Sequence, residues 1–317
     1  MSAPWTIADI PDQRGRTAVI TGATGGLGLE TAIALAGAGA RVIVTGRNAV
    51  RGWGAVERIR QVHREANVAF ELLDVASLGS VAAFAASLGK SGRAVDILVN
   101  NAGVMALPHR GFTSDAFEKQ IGTNYLGHFA LTLRLLPLLM RARRPRVVSL
   151  SSIAHRQGAI DLADFQGRNY KPWKAYSQSK LAMLMFALEL QRQSDANGWG
   201  LMSVAAHPGW ARTDLFRNGP NTAGHWSWQR CVTALAQPFF SHSAAAGALP
   251  ILFAATAPEA LPATLYGPAG FSELKGPPAP AAIAPQARDE AMAAALWELS
   301  ESLCAVSMPR ERVAQAA

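Results

Sequence analysis

The chain has 317 residues, half of them hydrophobic and 16% charged, with a net charge of +8. That balance excludes a disordered polar chain and supplies enough apolar material for a large α/β core. Its lysines and arginines are mostly scattered, which argues against a nucleic-acid surface. Its two cysteines, Cys231 and Cys304, have neither metal nor disulfide spacing, so a reducing, cytoplasmic setting is expected.

The opening residues MSAPWTIADIPDQRGR contain no apolar stretch of the secretory kind. Thr17 to Thr21 reads as a short strand, followed by glycines and a helical run from Leu29 to Ala38. The turn between them carries Gly22, Gly26 and Gly28 in a Gly-x-x-x-Gly-x-Gly spacing. Glycines there let the backbone approach a pyrophosphate, which the N–H groups and dipole of the following helix attract. Arg41 to Thr45 is the next strand, and Gly54 to Arg64 a helix. At that strand's end, sites for NAD place an acid against the ribose 2′-hydroxyl. No Asp or Glu occurs between Arg41 and Val56, and Arg47 stands in its place, which favours NADP(H) over NAD(H). Asn48 beside it suits a helix cap.

Val68 to Leu73 is a third strand and Leu78 to Leu88 a helix. Between them Asp74 is placed either to accept from an adenine amino group or to cap the helix near Ser77. Asp96 to Asn100 is a buried strand, and Asn100-Asn101-Ala102-Gly103 follows with small residues and amides suited to a flat ring. A helical region is expected from Ser114 through Met140, then the dense basic run Arg141 to Arg146, which should solvate a turn. Arg146 to Leu150 is a strand that ends in Ser151-Ser152. Tyr176 to Gln193 is a helix, on which Tyr176 and Lys180 share a face, so that an ammonium beside the phenol favours its ionisation. Leu201 to Ala206 is the last strand of the regular pattern.

Beyond it the pattern weakens. Trp210, Leu215, Phe216, Trp226, Trp228, Phe239 and Phe240 crowd one stretch, and Ser272 to Pro285 reads as irregular. The apolar run from Ala244 to Ala257 is too short to span a bilayer. Repeated strand–helix alternation with near-continuous apolar strands predicts a doubly wound α/β Rossmann fold, a parallel β-sheet flanked by helices on both faces. Ligands bind there at the carboxyl ends of the strands.

TGATGGLG, LLDV at Leu72 to Val75, NNAG at Asn100 to Gly103, Asn124, Ser151-Ser152, YSQSK and HPGWARTDL from His207 to Leu215 resemble the short-chain dehydrogenase/reductase family in order and spacing. Asn169 to Tyr176, Leu249 to Pro258 and LYGPAGF from Leu265 to Phe271 resemble more narrowly its retinol-dehydrogenase-like branch, which includes relatives of protochlorophyllide reductase. The resemblance implies one Rossmann-type domain over 1–317. Its parts would be a cofactor-binding and catalytic core at 15–215, a substrate lid at 210–245 and a C-terminal extension at 245–317 completing the pocket.

The same resemblance makes Tyr176 the general acid/base and has Lys180 lower its pKa and hold the nicotinamide ribose. Ser152 would polarise the substrate oxygen, with Ser151 as the competing choice, and Asn124 would hold a water linked to Lys180. Cofactor contacts are assigned to Gly22, Thr24, Gly26, Leu27, Gly28, Arg47, Asn48, Asp74, Val75, Asn101, Ala102, Gly103, Tyr176, Lys180, Pro208, Gly209 and Thr213. The expected reaction is hydride transfer between NADP(H) and a carbonyl or alcohol on a bulky apolar substrate, with no metal. Reduction of a conjugated C=C bond and a non-catalytic NADP sensor are the alternatives. The helices at 114–140 and 176–193 offer a face for a homodimer or homotetramer, and the aromatic lid offers an alternative contact with a membrane.

Overall fold

The computed structural model describes residues 4–210 and 243–308. Strands β1 (Thr17–Ile20), β2 (Arg41–Gly46), β3 (Val68–Leu72), β4 (Ile97–Asn100), β5 (Arg146–Leu150), β6 (Met202–Ala206), β7 (Leu265–Pro268) and β8 (Pro278–Pro280) form one sheet. Its order is β3-β2-β1-β4-β5-β6-β7-β8; all neighbours pair in parallel except β7 with β8. The Rossmann architecture expected from the alternation is therefore the one observed. The irregular stretch from Ser272 to Pro285 nevertheless contributes the antiparallel edge strand β8, which a proline-rich sequence hides because proline is tolerated only at sheet edges.

Helices α1 (Gly26–Gly37), α2 (Ala49–Val62) and α7 (Ala244–Thr256) cover one face. Helices α3 (Leu78–Lys90), α5 (Gly127–Leu139), α6 (Pro172–Asn197) and α8 (Glu290–Cys304) cover the other. The strands feed both layers by alternation. In β1, Ala18 and Ile20 pack toward α1 while Val19 packs with the α5 and α6 layer. On the second face Phe129 and Phe186 meet Trp297 at ring-centre distances of 5.0 and 5.8 Å, which seats α8 on the core.

Three local readings need correction. Helix α2 begins at Ala49, a turn and a half before the expected Gly54, because the Asn48 side chain accepts from the Arg51 N–H and caps it. The region expected as one helix from Ser114 is a turn closed by the Phe112–Glu118 bridge, then α4 (Lys119–Ile121), a π-helical turn (Gly122–Leu126) and α5. The carboxylate of Glu118 starts it by accepting from the N–H groups of Gln120 and Ile121. Finally, Arg146 does not join the solvated turn with Arg141, Arg143 and Arg144. Its guanidinium turns inward and donates to the carbonyls of Ala254 and Ala257 at 3.0 and 2.8 Å. It thereby satisfies the carboxyl end of α7, and burial lowers its pKa to about 10.

Candidate active site

The strand order reverses between β1 and β4, which run parallel, and a cleft of about 670 Å³ opens at the carboxyl ends of the strands there. One wall is the glycine loop. Gly22 lies at φ 64° and Gly26 at φ 55°, left-handed values that favour glycine. A Cβ on Gly28 would stand 2.5 Å from Asn101 Nδ2 and 2.9 Å from the Gly22 carbonyl. Helices α2, α3, α7 and α8 each start under a side-chain cap from Asn48, Ser77, Ser243 and Asp289. Helix α1 has none at Gly25, so its first N–H groups face the cleft without a side-chain acceptor. That is the donor set a pyrophosphate requires, so the loop fits a dinucleotide.

At one end of the cleft stand Arg47, Asn48 and Asp74. Arg51, one turn into α2, joins them, and sequence reasoning missed it because strand-end rules look only at the residues just after β2. Asp74 does not cap α3; Ser77 does, while Asp74 Oδ1 accepts from the Ala76 N–H at 2.9 Å. Leu27, Val75, Thr24, Ala102 and Gly103 lie along the cleft between the two ends, Leu27 and Val75 being buried.

Asn101 belongs both to the cleft wall and to its framework. It lines the cleft, but its Nδ2 donates to the Thr21 carbonyl at 2.7 Å, tying the loop after β4 to the glycine loop. Thr21 also receives the N–H groups of Asn101 and Ala102 on its hydroxyl, which sits 2.9 Å from Nε2 of the buried His128. Nδ1 of that ring faces the Asn124 carbonyl, so Nδ1 carries the proton and Nε2 accepts. Burial lowers the His128 pKa to about 4, which keeps the ring neutral. Neither Thr21 nor His128 stood out in the sequence, since a lone buried histidine has no pattern.

At the opposite end Ser152, Tyr176 and Lys180 meet. Strand β5 delivers the serines: the Ser151 hydroxyl is buried and donates to the Lys180 carbonyl at 2.8 Å. Ser152 faces the cleft and hydrogen bonds the Tyr176 phenol. Both serines line the cleft, but the Ser151 hydroxyl is already committed to the Lys180 carbonyl, which favours Ser152 as the group left to meet a bound molecule. Helix α6 sets Lys180 Nζ 5.8 Å from the centre of the Tyr176 ring, and that ammonium donates to the Leu150 carbonyl at 3.0 Å. The expectation that Lys180 lowers the tyrosine needs correction for the protein alone. Burial dominates and raises Tyr176 to about 12, against the Ser152 hydrogen bond, and burial lowers Lys180 to about 8.

Asn124 sits in the π turn, where helices often distort at functional sites. Its Oδ1 accepts from the Val104 N–H, and its Nδ2 donates to the Val104 carbonyl and the Ser179 hydroxyl. A Cβ on Gly103 would lie 3.1 Å from Asn124 Oδ1 and 3.7 Å from Lys180 Nζ, so glycine keeps the space between the two groups open.

Apolar side chains surround this end: Met105, Ile153, Ala154, Trp173, Trp210 and Leu274. Trp173 is 54% exposed and meets Tyr176 edge-on at 6.0 Å. Pro208 and Gly209 line the cleft beside them. Thr213, Leu215, Phe216, Trp226, Trp228, Phe239 and Phe240 lie outside the described residues. Among the described residues no cluster of His, Cys, Asp and Glu is built to hold a metal, and no helix is long and apolar enough to cross a membrane.

The family model for short chain dehydrogenases matches residues 16–223. The chain belongs to the short-chain dehydrogenase/reductase family and is an oxidoreductase. Its place within the family is the retinol-dehydrogenase-like branch. It is 40% identical over 303 residues to retinol dehydrogenase 13 of Homo sapiens, covering 94% of this chain and 87% of that one. With polyprenol dehydrogenase of Mus musculus it shares 44% identity over 255 residues, 79% of this chain and 74% of the relative. A crystal structure of an uncharacterized protein from Mycobacterium Paratuberculosis superposes with a TM-score of 0.79 at 40% identity, covering 97% of this chain and all of that one.

Proposed function

We propose that this protein is an NADP(H)-dependent oxidoreductase that interconverts a carbonyl and an alcohol on a bulky apolar substrate. The observation that carries the reading is the meeting of Ser152, Tyr176 and Lys180 in a cleft walled by Met105, Ile153, Trp173 and Leu274. A bound nicotinamide supplies or takes the hydride at the carbinol carbon. The protein's task is then to deliver a proton to the carbonyl oxygen. With its pKa near 12, Tyr176 is protonated at neutral pH and is the donor in the reductive direction. The hydroxyl of Ser152, hydrogen bonded to that phenol, orients the substrate oxygen. Lys180 keeps a positive charge near the phenolate that the transfer leaves, and its buried place makes that charge count for more than in water.

Arg47 and Arg51 at the other end support a 2′-phosphate, since no acidic side chain of β2 or the start of α2 competes for that position. The apolar wall supports a lipophilic substrate, and the relatives named for retinol and polyprenol support the same class. The test is an NADPH-consumption screen over lipophilic ketones, aldehydes and enones, with products identified. An alcohol product supports the reading, a saturated ketone replaces it with C=C reduction, and no NADPH binding at all rejects it.

A further inference from the structure

Residues Ser272 and Glu273 are consecutive non-glycine residues in the left-handed region, at φ 50° and 58°. That conformation is unfavourable for side chains of this kind and persists only where neighbouring contacts fix it. Here the contacts converge on one carboxylate. Glu273 Oε2 lies 2.6 Å from Arg156 Nη2 and 3.0 Å from His207 Nε2, while Oε1 accepts from the Ala282 N–H at 3.0 Å. Burial alone would raise the glutamate, but the His207 hydrogen bond, the Ala282 amide and the Arg156 guanidinium hold its pKa down at about 2.

Two of these partners, Arg156 and His207, belong to segments whose neighbouring residues line the cleft. Arg156 lies in the 3-10 turn Ile153–Gln157 that Ser152 caps. His207 is fully buried, and its ring fits only because position 267 is glycine: a Cβ there would lie 2.1 Å from Nε2. Its Nδ1 accepts from the Gly209 N–H at 3.2 Å, so Nε2 carries the hydrogen that goes to Glu273. The backbone beside the glutamate then seals the joint. Trp210 donates its N–H to the Leu274 carbonyl at 3.0 Å, and a Cβ on Gly209 would stand 2.3 Å from that oxygen. Leu274, the residue after the clamp, reaches the cleft.

We propose that Glu273 is a positioning residue for the nicotinamide half of the cofactor. It touches neither the substrate nor the reacting atoms. Through His207 it fixes the Pro208-Gly209-Trp210 turn, through Arg156 the Ser152 turn, and through its own strained backbone the Leu274 wall. The inference rests on the reading that a dinucleotide occupies the cleft with its nicotinamide against Pro208 and Gly209. The glycine loop and Arg47 make no part of the clamp, so the adenosine half is held independently.

Fluorescence titration of the full-length protein and of Glu273→Ala and Glu273→Gln with NADPH, and competition with 2′-phospho-ADP-ribose, which lacks the nicotinamide, tests it. Glu273→Ala is expected to weaken NADPH by roughly tenfold or more while changing the truncated ligand by less than about twofold. Glu273→Gln, which keeps an acceptor oxygen, falls between. Equal weakening of both ligands makes the glutamate a general structural residue and overturns the proposal. Unchanged binding of both overturns it as well. A wild-type protein that binds the truncated ligand but gains nothing from the nicotinamide overturns the underlying cofactor placement and the proposal with it.

Discussion

Lys180 donates its ammonium to the carbonyl of Leu150 at 3.0 Å, so the last residue of β5 aims the lysine that stands beside Tyr176. This bond holds a buried cation whose pKa is lowered to about 8. The unfolded chain, with lysine near its ordinary value of 10.5, binds more protons than the folded one between about pH 8 and 10.5. Stability therefore rises with pH across that window. Lys180→Met is expected to raise stability at pH 7 by roughly 1–2 kcal/mol while turnover falls, and the gain should vanish by pH 10.5. Thermal melts at pH 7 and 10.5 check this. In the wild type, kcat/KM for ketone reduction should decline above about pH 8; a level profile to pH 10 would show that the ammonium charge is not needed.

Tyr176→Phe retains the ring and its edge-on contact with Trp173 but loses the proton. NADPH affinity should stay within about twofold, and turnover should fall roughly 10²–10⁴-fold. Single-turnover kinetics with any accepted ketone measure this, and full activity would remove Tyr176 from proton transfer.

Arg47→Asp places an acid where a 2′-phosphate would sit. The NADPH-to-NADH preference, read as a ratio of kcat/KM, is expected to fall by roughly tenfold or more. An unchanged ratio would assign that selectivity elsewhere.

Trp173 presents a half-exposed ring on the apolar side of the cleft. Trp173→Ala should raise KM for long apolar ketones by roughly tenfold and leave small ketones nearly unaffected, because only the former cover the indole. A uniform change across substrates would deny the ring a role in selection.

A methyl group at position 28 meets Asn101 Nδ2, the Ala23 Cα and the Gly22 carbonyl, all within 2.9 Å. Gly28→Ala is expected to cost roughly 1–3 kcal/mol of stability and to weaken cofactor binding, both measurable by melting with and without NADPH.

Much of the site was legible because its residues follow strand ends in a fixed order: the glycine loop after β1, Arg47 after β2, Ser152 after β5 and Tyr176 with Lys180 at helical spacing. What escaped the reading is what acts across long separations in the chain. His128 joins Thr21 across 107 positions, and Glu273 joins His207 across 66. Arg146 looked like part of a basic surface run, yet its ends reach carbonyls more than 100 residues away. No periodicity records such pairings, because each depends on where two distant segments are packed together.

Local sequence already carries the alternation of strands and helices, the glycine turn, the absence of an acid after β2 and the face shared by Tyr176 and Lys180. These are local consequences of backbone freedom and of periods of 2 and 3.6 residues. Tertiary packing added that the Ser151 hydroxyl is spent on the Lys180 carbonyl, that burial raises the tyrosine and lowers the lysine, and that one carboxylate joins Arg156 to His207. Those outcomes follow from desolvation and from contacts between distant segments, and both exist only once the chain has closed around its sheet.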